Sequence, residues 1–234
     1  MDKVSFKERV KNEIISCAKI YNNVFIKHDY LVCSPAFKDK NFYIISACKD
    51  NYKHLTGVNS SLNAELFFEK CLDGSISEND FSFEKHGRSK KDVKGNVRHK
   101  IQVLHGIGDI FSVNAEVEEN FCKNRICCSF AAADSLLTLG FTETFQAKPK
   151  TLLKGYLLSN GKSDNIELLL RKGKNEERFN EIIIGDNSTL TKYFDSIHDY
   201  LDNHLLAAVK KDTLVENIDD DILDLTGGFS NLRR

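Results

Sequence analysis

Apolar residues recur along the first turns of the chain at the spacing of a helix. Phe6, Val10, Ile14, Ala18 and Tyr21 fall on one face, and polar residues fill the rest. The pattern predicts a helix over residues 3–22. The period then changes. Residues 24–33 and 41–48 are rich in Val, Ile, Phe and Tyr and read as two strands, joined by a turn from Ser34-Pro35 to Lys40. The second strand runs through the polar break Lys49-Asp50-Asn51 into Tyr52-Lys53-His54-Leu55-Thr56-Gly57, which reads as a strand-to-turn segment. A helix is expected over 63–72 and stopped by Gly74. Ser77-Glu78-Asn79-Asp80 has the form of a capping box, and Phe81 and Phe83 are expected to tuck under the core. Residues 85–100 continue into an apolar stripe of Val93, Val97, Ile101 and Leu104, which predicts a helix with one buried face, ended by Gly106 and Gly108.

The second half has more β character. Residues 111–117, 125–131 and 136–144 read as strands, and Pro149-Lys150-Thr151-Leu152-Leu153-Lys154 stands apart as a punctuated segment. Residues 166–172 and 181–184 predict a hairpin around a polar loop. Asn187 or Ser188 is expected to cap a long last helix with a core stripe of Leu190, Phe194, Ile197, Leu201 and Leu205. Beyond it the composition shifts. Six acids and no base lie between Asp212 and Asp224, with Val215, Ile218, Ile222 and Leu225 at helical spacing, and Gly227-Gly228 ends the run. These patterns place one α+β domain over residues 1–210 and an acidic C-terminal tail over 211–234.

Charge changes this picture only locally. Lys and Arg number 33 against 34 Asp and Glu, a net charge of −1, which excludes a generally basic nucleic-acid coat and leaves room for a basic face. With only two prolines, Pro35 and Pro149, long linkers are not expected. The start, Met1-Asp2-Lys3-Val4-Ser5, lacks the apolar region of a signal peptide, and no apolar run reaches the ~18 residues of a membrane span. A cytoplasmic chain that avoids membranes is therefore expected, with its seven cysteines as free, reduced thiols. Cys122, Cys127 and Cys128 cluster without a CxxC pair or a nearby histidine, so no metal site is expected there. The glycine-rich loops of nucleotide-binding proteins are absent, and no cofactor is expected.

Four features carry candidate chemistry, each with a plainer alternative. His54 offers an imidazole near a turn, with the Thr56 hydroxyl two residues on; such a group is a candidate general base, or simply a turn cap beside a Gly57 of positive φ. Lys85, Arg88, Lys90, Lys91, Lys94, Arg98 and Lys100 face one acid, Asp92, along the predicted basic helix. Lys90, Lys91, Lys94, Arg98 and Lys100 are the candidate nucleic-acid-binding set, against the alternative of a solvated helix surface. Pro149 pre-sets the backbone ahead of Lys150 and Thr151, which are candidate ligand contacts or a strand entry. Arg171 and Lys172 end an apolar strand, where a cation lines a cleft or guards an edge.

The run from Asn41 to Phe83 resembles the phage-associated branch of the barnase, EndoU, colicin and RelE-like nuclease group. The likeness rests on His54-Leu55-Thr56-Gly57-Val58, the helix over 63–72, the Asp80-Phe81-Ser82-Phe83 segment, and Pro149-Lys150-Thr151-Leu152-Leu153-Lys154. It implies N-terminal helices followed by an antiparallel sheet, and a metal-independent ribonuclease site on that sheet. His54, Thr56, Lys150 and Thr151 sit in the matching motifs. Cleavage of that kind needs a base for the 2′-hydroxyl, an acid for the leaving oxygen and cations for the phosphorane charge. His54 is the candidate base and Thr56 the candidate phosphate-orienting group, with Lys100, Lys150 or Arg171 stabilising charge. The expected function is an RNA-cleaving toxin or phage or mobile-element effector, whose partners are RNA and a protein such as an antitoxin. The alternative is a non-catalytic protein of the same fold that binds and inhibits a host or defence protein.

Overall fold

The computed structural model describes residues 4–112, 114–123 and 125–209. The expected acidic tail over 211–234 lies outside the described residues. The first helix, α1 (Phe6–Tyr21), forms where the apolar spacing places it, and the Ser5 side chain accepts from the Glu8 N–H to cap it. Val10, Ile14, Cys17, Ala18 and Tyr21 are all fully buried. The first strand is shorter than expected. The chain leaves α1 through a π-helical turn, Asn22–Ile26, and only then enters β1 (His28–Cys33). Val24-Phe25-Ile26 has strand-like composition, but the turn lets Phe25 pack beside Tyr21, Tyr30 and Phe111.

After β2 (Phe42–Ile45) comes the main departure from the expected pattern. The strand-to-turn segment is a short helix, α2 (Asn51–Thr56). The Asn51 side chain accepts from the Cys48 N–H and turns the chain, and Tyr52 and Leu55 are then buried at helical rather than strand spacing. Gly57 closes α2 at φ 77°, the left-handed C-cap that only glycine adopts freely. The helix α3 (Ala64–Asp73) ends at Gly74 as expected, and Ser77 and Asp80 form the capping box. The basic helix is α4 (Lys90–Ile101), followed by a 3-10 turn over Leu104–Gly108.

The remaining strands are β3 (Glu116–Glu119), β4 (Cys122–Lys123), β5 (Ile126–Cys127), β6 (Phe130–Ala133), β7 (Leu137–Glu143), β8 (Ala147–Lys154), β9 (Ser163–Asn165), β10 (Leu168–Gly173) and β11 (Glu181–Ile184). The strand expected over 111–117 starts only at Glu116, because Phe111 is drawn onto Tyr30 and Phe141 from a turn. The helix that follows β11 is α5 (Asn187–Ile197), capped by Asp186 rather than Asn187 or Ser188. The expected long C-terminal helix is broken. Phe179 donates its N–H to Tyr200 O and accepts from Asp202 N, so residues 200–202 pair with the Phe179 backbone in an isolated parallel bridge instead of continuing the helix. Helix resumes over 203–209. The expectation of seven free thiols is also corrected. The β4–β5 hairpin sets Cys122 opposite Cys127, and the two form a disulfide, while Cys17, Cys33, Cys48, Cys71 and Cys128 stay free.

Nine strands form one sheet in the order β11-β10-β1-β2-β8-β7-β6-β3-β9. Every pairing is antiparallel except β2 with β8, which meet in parallel at Ile45 and Ala147. The sheet curls: Glu119 of β3 reaches Tyr43 of β2, whose hydroxyl donates to it at 2.7 Å. Alternation sorts the side chains onto two faces. Tyr30, Ile45, Phe130, Leu139, Phe141 and Leu152 join α1 to α4 in the main core. On the opposite face, Leu31, Cys33, Leu168 and Leu170 pack under α5, and Ala131, Ala133, Phe121 and Cys128 make a separate cluster.

Gly140 allows the close approach of that last cluster. A Cβ there would lie 2.6 Å from Cys128 Sγ and 2.9 Å from Thr151 Cγ2. Gly140→Ala is expected to cost about 2 kcal/mol through overpacking, read as a lower denaturation midpoint in urea with an unchanged slope.

Candidate nucleic-acid interface

The helix α4 starts where Ser89 and Asp92 cap each other: Ser89 Oγ donates to the Asp92 carboxylate at 2.6 Å and accepts from its N–H at 3.1 Å. The only acid of the helix is thereby held at its first turn. Val93 and Val97 are buried, which turns Lys90, Lys91 and Arg98 to solvent and leaves Lys94 half-buried. Lys90 pairs with Glu84 at 3.1 Å. Among the described residues, Lys91, Lys94 and Arg98 have no carboxylate partner. Lys94 instead lies 5.6 Å over the Phe83 ring and Arg98 lies 5.2 Å over Phe6. Four bases of one helix thus sit close together with a single surface ion pair between them.

Lys100 points the other way. It is 9% exposed, and its Nζ donates to His54 O at 2.7 Å, against the C-terminal turn of α2. Its methylenes fill the space beside Gly57, where a Cβ would come within 2.8 Å of Cδ. Burial, with the Lys85 charge as a smaller second cause, pulls its pKa down to about 8. The ammonium therefore supports α2 from inside and does not lie on the exposed basic face.

His54 is exposed, and its ring makes no hydrogen bond among the described residues. Thr56 is fully buried, and its hydroxyl donates to Lys53 O at 2.8 Å. Lys150 and Thr151 lie elsewhere. Thr151 pairs with Gly140, on the sheet face that carries Cys128, and Lys150 Nζ donates to Cys127 O at 3.2 Å. That is the face opposite the one on which α2 packs over β8. Arg171 shares the helix-covered face with its register partner Tyr30, three strand spacings along the sheet from β8, roughly 14 Å. Its guanidinium is held by both oxygens of Glu181, at 2.9 and 2.8 Å. The structure therefore brings His54 and Lys100 together and separates them from Lys150, Thr151 and Arg171.

Sequence reasoning missed Lys7 and Arg9 of α1. Arg9 lies 5.8 Å over the same Phe6 ring that carries Arg98. The bases near the N-terminus are interrupted by Glu8, and only the packing of α1 on α4 joins them to one surface. Among the described residues, no three His, Cys, Asp or Glu side chains gather as a metal-ligand set, and no helix is long and apolar enough to cross a membrane.

The depressed pKa of Lys100 has a measurable consequence. Below pH 8 both folded and unfolded chains hold its proton and the full cost of burial applies. Between pH 8 and about 10.5 the unfolded chain binds more protons, so stability contributed at this position rises with pH. Relative to Lys100→Met, the wild type is expected to gain about 2 kcal/mol between pH 7 and pH 9.5 in urea unfolding.

Comparison with curated proteins and with solved structures returns no match. A family model does match, over residues 13–218, and that span takes in α1 from Glu13 onward, α2, α4 and the whole sheet. The chain belongs to the phage-Barnase-EndoU-ColicinE5/D-RelE like nuclease4 family.

Proposed function

We propose that the chain acts on RNA as a metal-independent endoribonuclease-like effector of phage or mobile-element origin, and that RNA lies along α4. Lys90, Lys91, Lys94 and Arg98 take the phosphates, and His54 is the candidate base for the 2′-hydroxyl. The observation that carries this reading is the row of α4 bases, three of them without a carboxylate partner among the described residues, in a nuclease-family chain whose net charge is −1. Cations so placed release counterions when they meet a polyanion, and that supplies affinity without sequence preference. Lys100 acts behind this face, as a positioning residue for the backbone of His54.

A second reading is favoured by the dispersal of the other candidates. A catalytic imidazole is ordinarily oriented by a partner group, and His54 has none among the described residues; Thr56 and Arg171 are engaged within the fold. A family member that keeps the scaffold and has lost turnover would bind and inhibit a host or defence protein.

Purified full-length chain incubated with end-labelled RNAs, with and without chelator, separates the two. The ribonuclease reading expects cleavage that survives the chelator and falls by a factor of about 10² or more in His54→Ala. Absence of cleavage across folded and unfolded RNAs removes it and leaves the second reading.

A further inference from the structure

The α4 bases are one wall of a trough whose other wall is α1. Phe6 of α1 and Phe83, from the segment before α4, meet with ring centroids 5.2 Å apart and form part of its floor. Arg9 and Arg98 lie over Phe6, Lys94 lies over Phe83, and Lys7 lies 5.4 Å over Phe81. At the start of the two helices a cavity of about 370 Å³ opens between Ser5, Lys7, Phe83, Lys90 and Lys94, with Glu84 at its edge held by Lys90. Further along, a second of about 630 Å³ lies between Arg9, Asn12, Glu13, Ser16, Gln102 and His105, where the Glu13 carboxylate is 3.9 Å from the His105 ring. The two openings follow the junction of α1 with α4.

Lys7, Arg9, Lys94 and Arg98 have no carboxylate partner among the described residues. Four like charges gathered in this way repel one another, and ring contacts worth about 0.5–1 kcal/mol each do not remove that repulsion. The rings do hold the long side chains in place, which reduces the conformational entropy lost when an anion arrives. The shape sets a further limit. A trough between two packed helices is narrow and concave, with axes about 8–10 Å apart. A single strand can lie in it, whereas a duplex can only ride across its rims.

We propose that the α1–α4 trough is a binding site for the phosphodiester backbone of a single-stranded nucleic acid, with Lys7 and Arg9 supplying the second row of phosphate contacts. The proposal rests on the RNA reading above and adds to it the class of substrate, an unpaired strand. Positive grooves lined with aromatic side chains are the common means of holding single strands without reading their sequence.

The test uses the full chain and fluorescence anisotropy with a labelled 12-nucleotide single-stranded RNA and the duplex of the same sequence, over a range of salt. The single strand is expected to bind about tenfold more tightly than the duplex. Lys7→Ala/Arg9→Ala is expected to weaken it about tenfold and to reduce the slope of log K against log salt by about 1.4, or 0.7 for each lost phosphate contact. Lys7→Arg/Arg9→Lys keeps the charge and should restore binding, and circular dichroism melts check that both variants fold. If the wild type binds RNA and the alanine variant matches it in affinity and slope, the trough is overturned while the RNA reading stands. A duplex that binds as tightly as the strand overturns the single-strand assignment. Displacement of RNA by polyglutamate at equal charge concentration assigns the trough to an acidic protein instead. A wild type that binds no RNA overturns both readings.

Discussion

The nine-stranded sheet is joined at its middle by one parallel pairing, Ile45 with Ala147, supported by the Ser46 N–H bond to Ala147 O at 3.0 Å. On either side lie antiparallel ladders of three or more residue pairs each. A junction this short cannot by itself fix the angle between two half-sheets, and the helix layer acts as the splint. Tyr21 of α1 donates its hydroxyl to Cys48 O just past β2, and Tyr52 of α2 donates to Ile14 O of α1. From there α2 packs over β8 on the far side of the junction. Lys40, just before β2, forms an ion pair with Glu143 at the end of β7, spanning the same boundary. The main core runs continuously beneath these ties.

This arrangement gives the His54-Leu55-Thr56-Gly57-Val58 motif a structural meaning. Leu55, Thr56 and Val58 are buried, Gly57 ends α2 and admits Lys100, and Lys100 holds the His54 carbonyl in the last turn of the helix. Most of the motif builds the crossing of the junction. His54 is its one exposed member, and it lies next to the basic helix layer rather than near the Lys150 and Thr151 surface on the opposite side of the sheet.

Much of this was readable from the residues. The buried stripes of α1 and of Val93 and Val97, the stop at Gly74, the Ser77–Asp80 box and the β10–β11 hairpin all follow from local periodicity and capping. The failures share a cause. Tyr52 and Leu55 are at helical spacing, but two apolar positions in so short a segment do not set a period until their distant partners are known. The break after Ile197 depends on Phe179, nearly twenty positions earlier in the chain, and the separation of Lys150 from His54 depends on which face of the sheet each serves. The α1 contribution to the basic surface is likewise a product of packing, since Lys7 and Arg9 lie about ninety positions from the α4 bases they join. Local chemistry marks which residues are available, and only long-range packing decides which of them act together.

The Cys122–Cys127 disulfide ties a hairpin of six residues, both of its sulfurs on exposed positions. A ring that small restrains the unfolded chain only modestly, by about 2 kcal/mol on the loop-entropy scale. Four of the five free thiols are buried in the cores, where they serve as packing groups with little access to oxidants. The sheet and helix layer themselves contain no disulfide, and reduction withdraws only the restraint on that one hairpin. A chain built this way can pass from an oxidising environment to a reducing one with its architecture intact and only one small surface loop altered on the way.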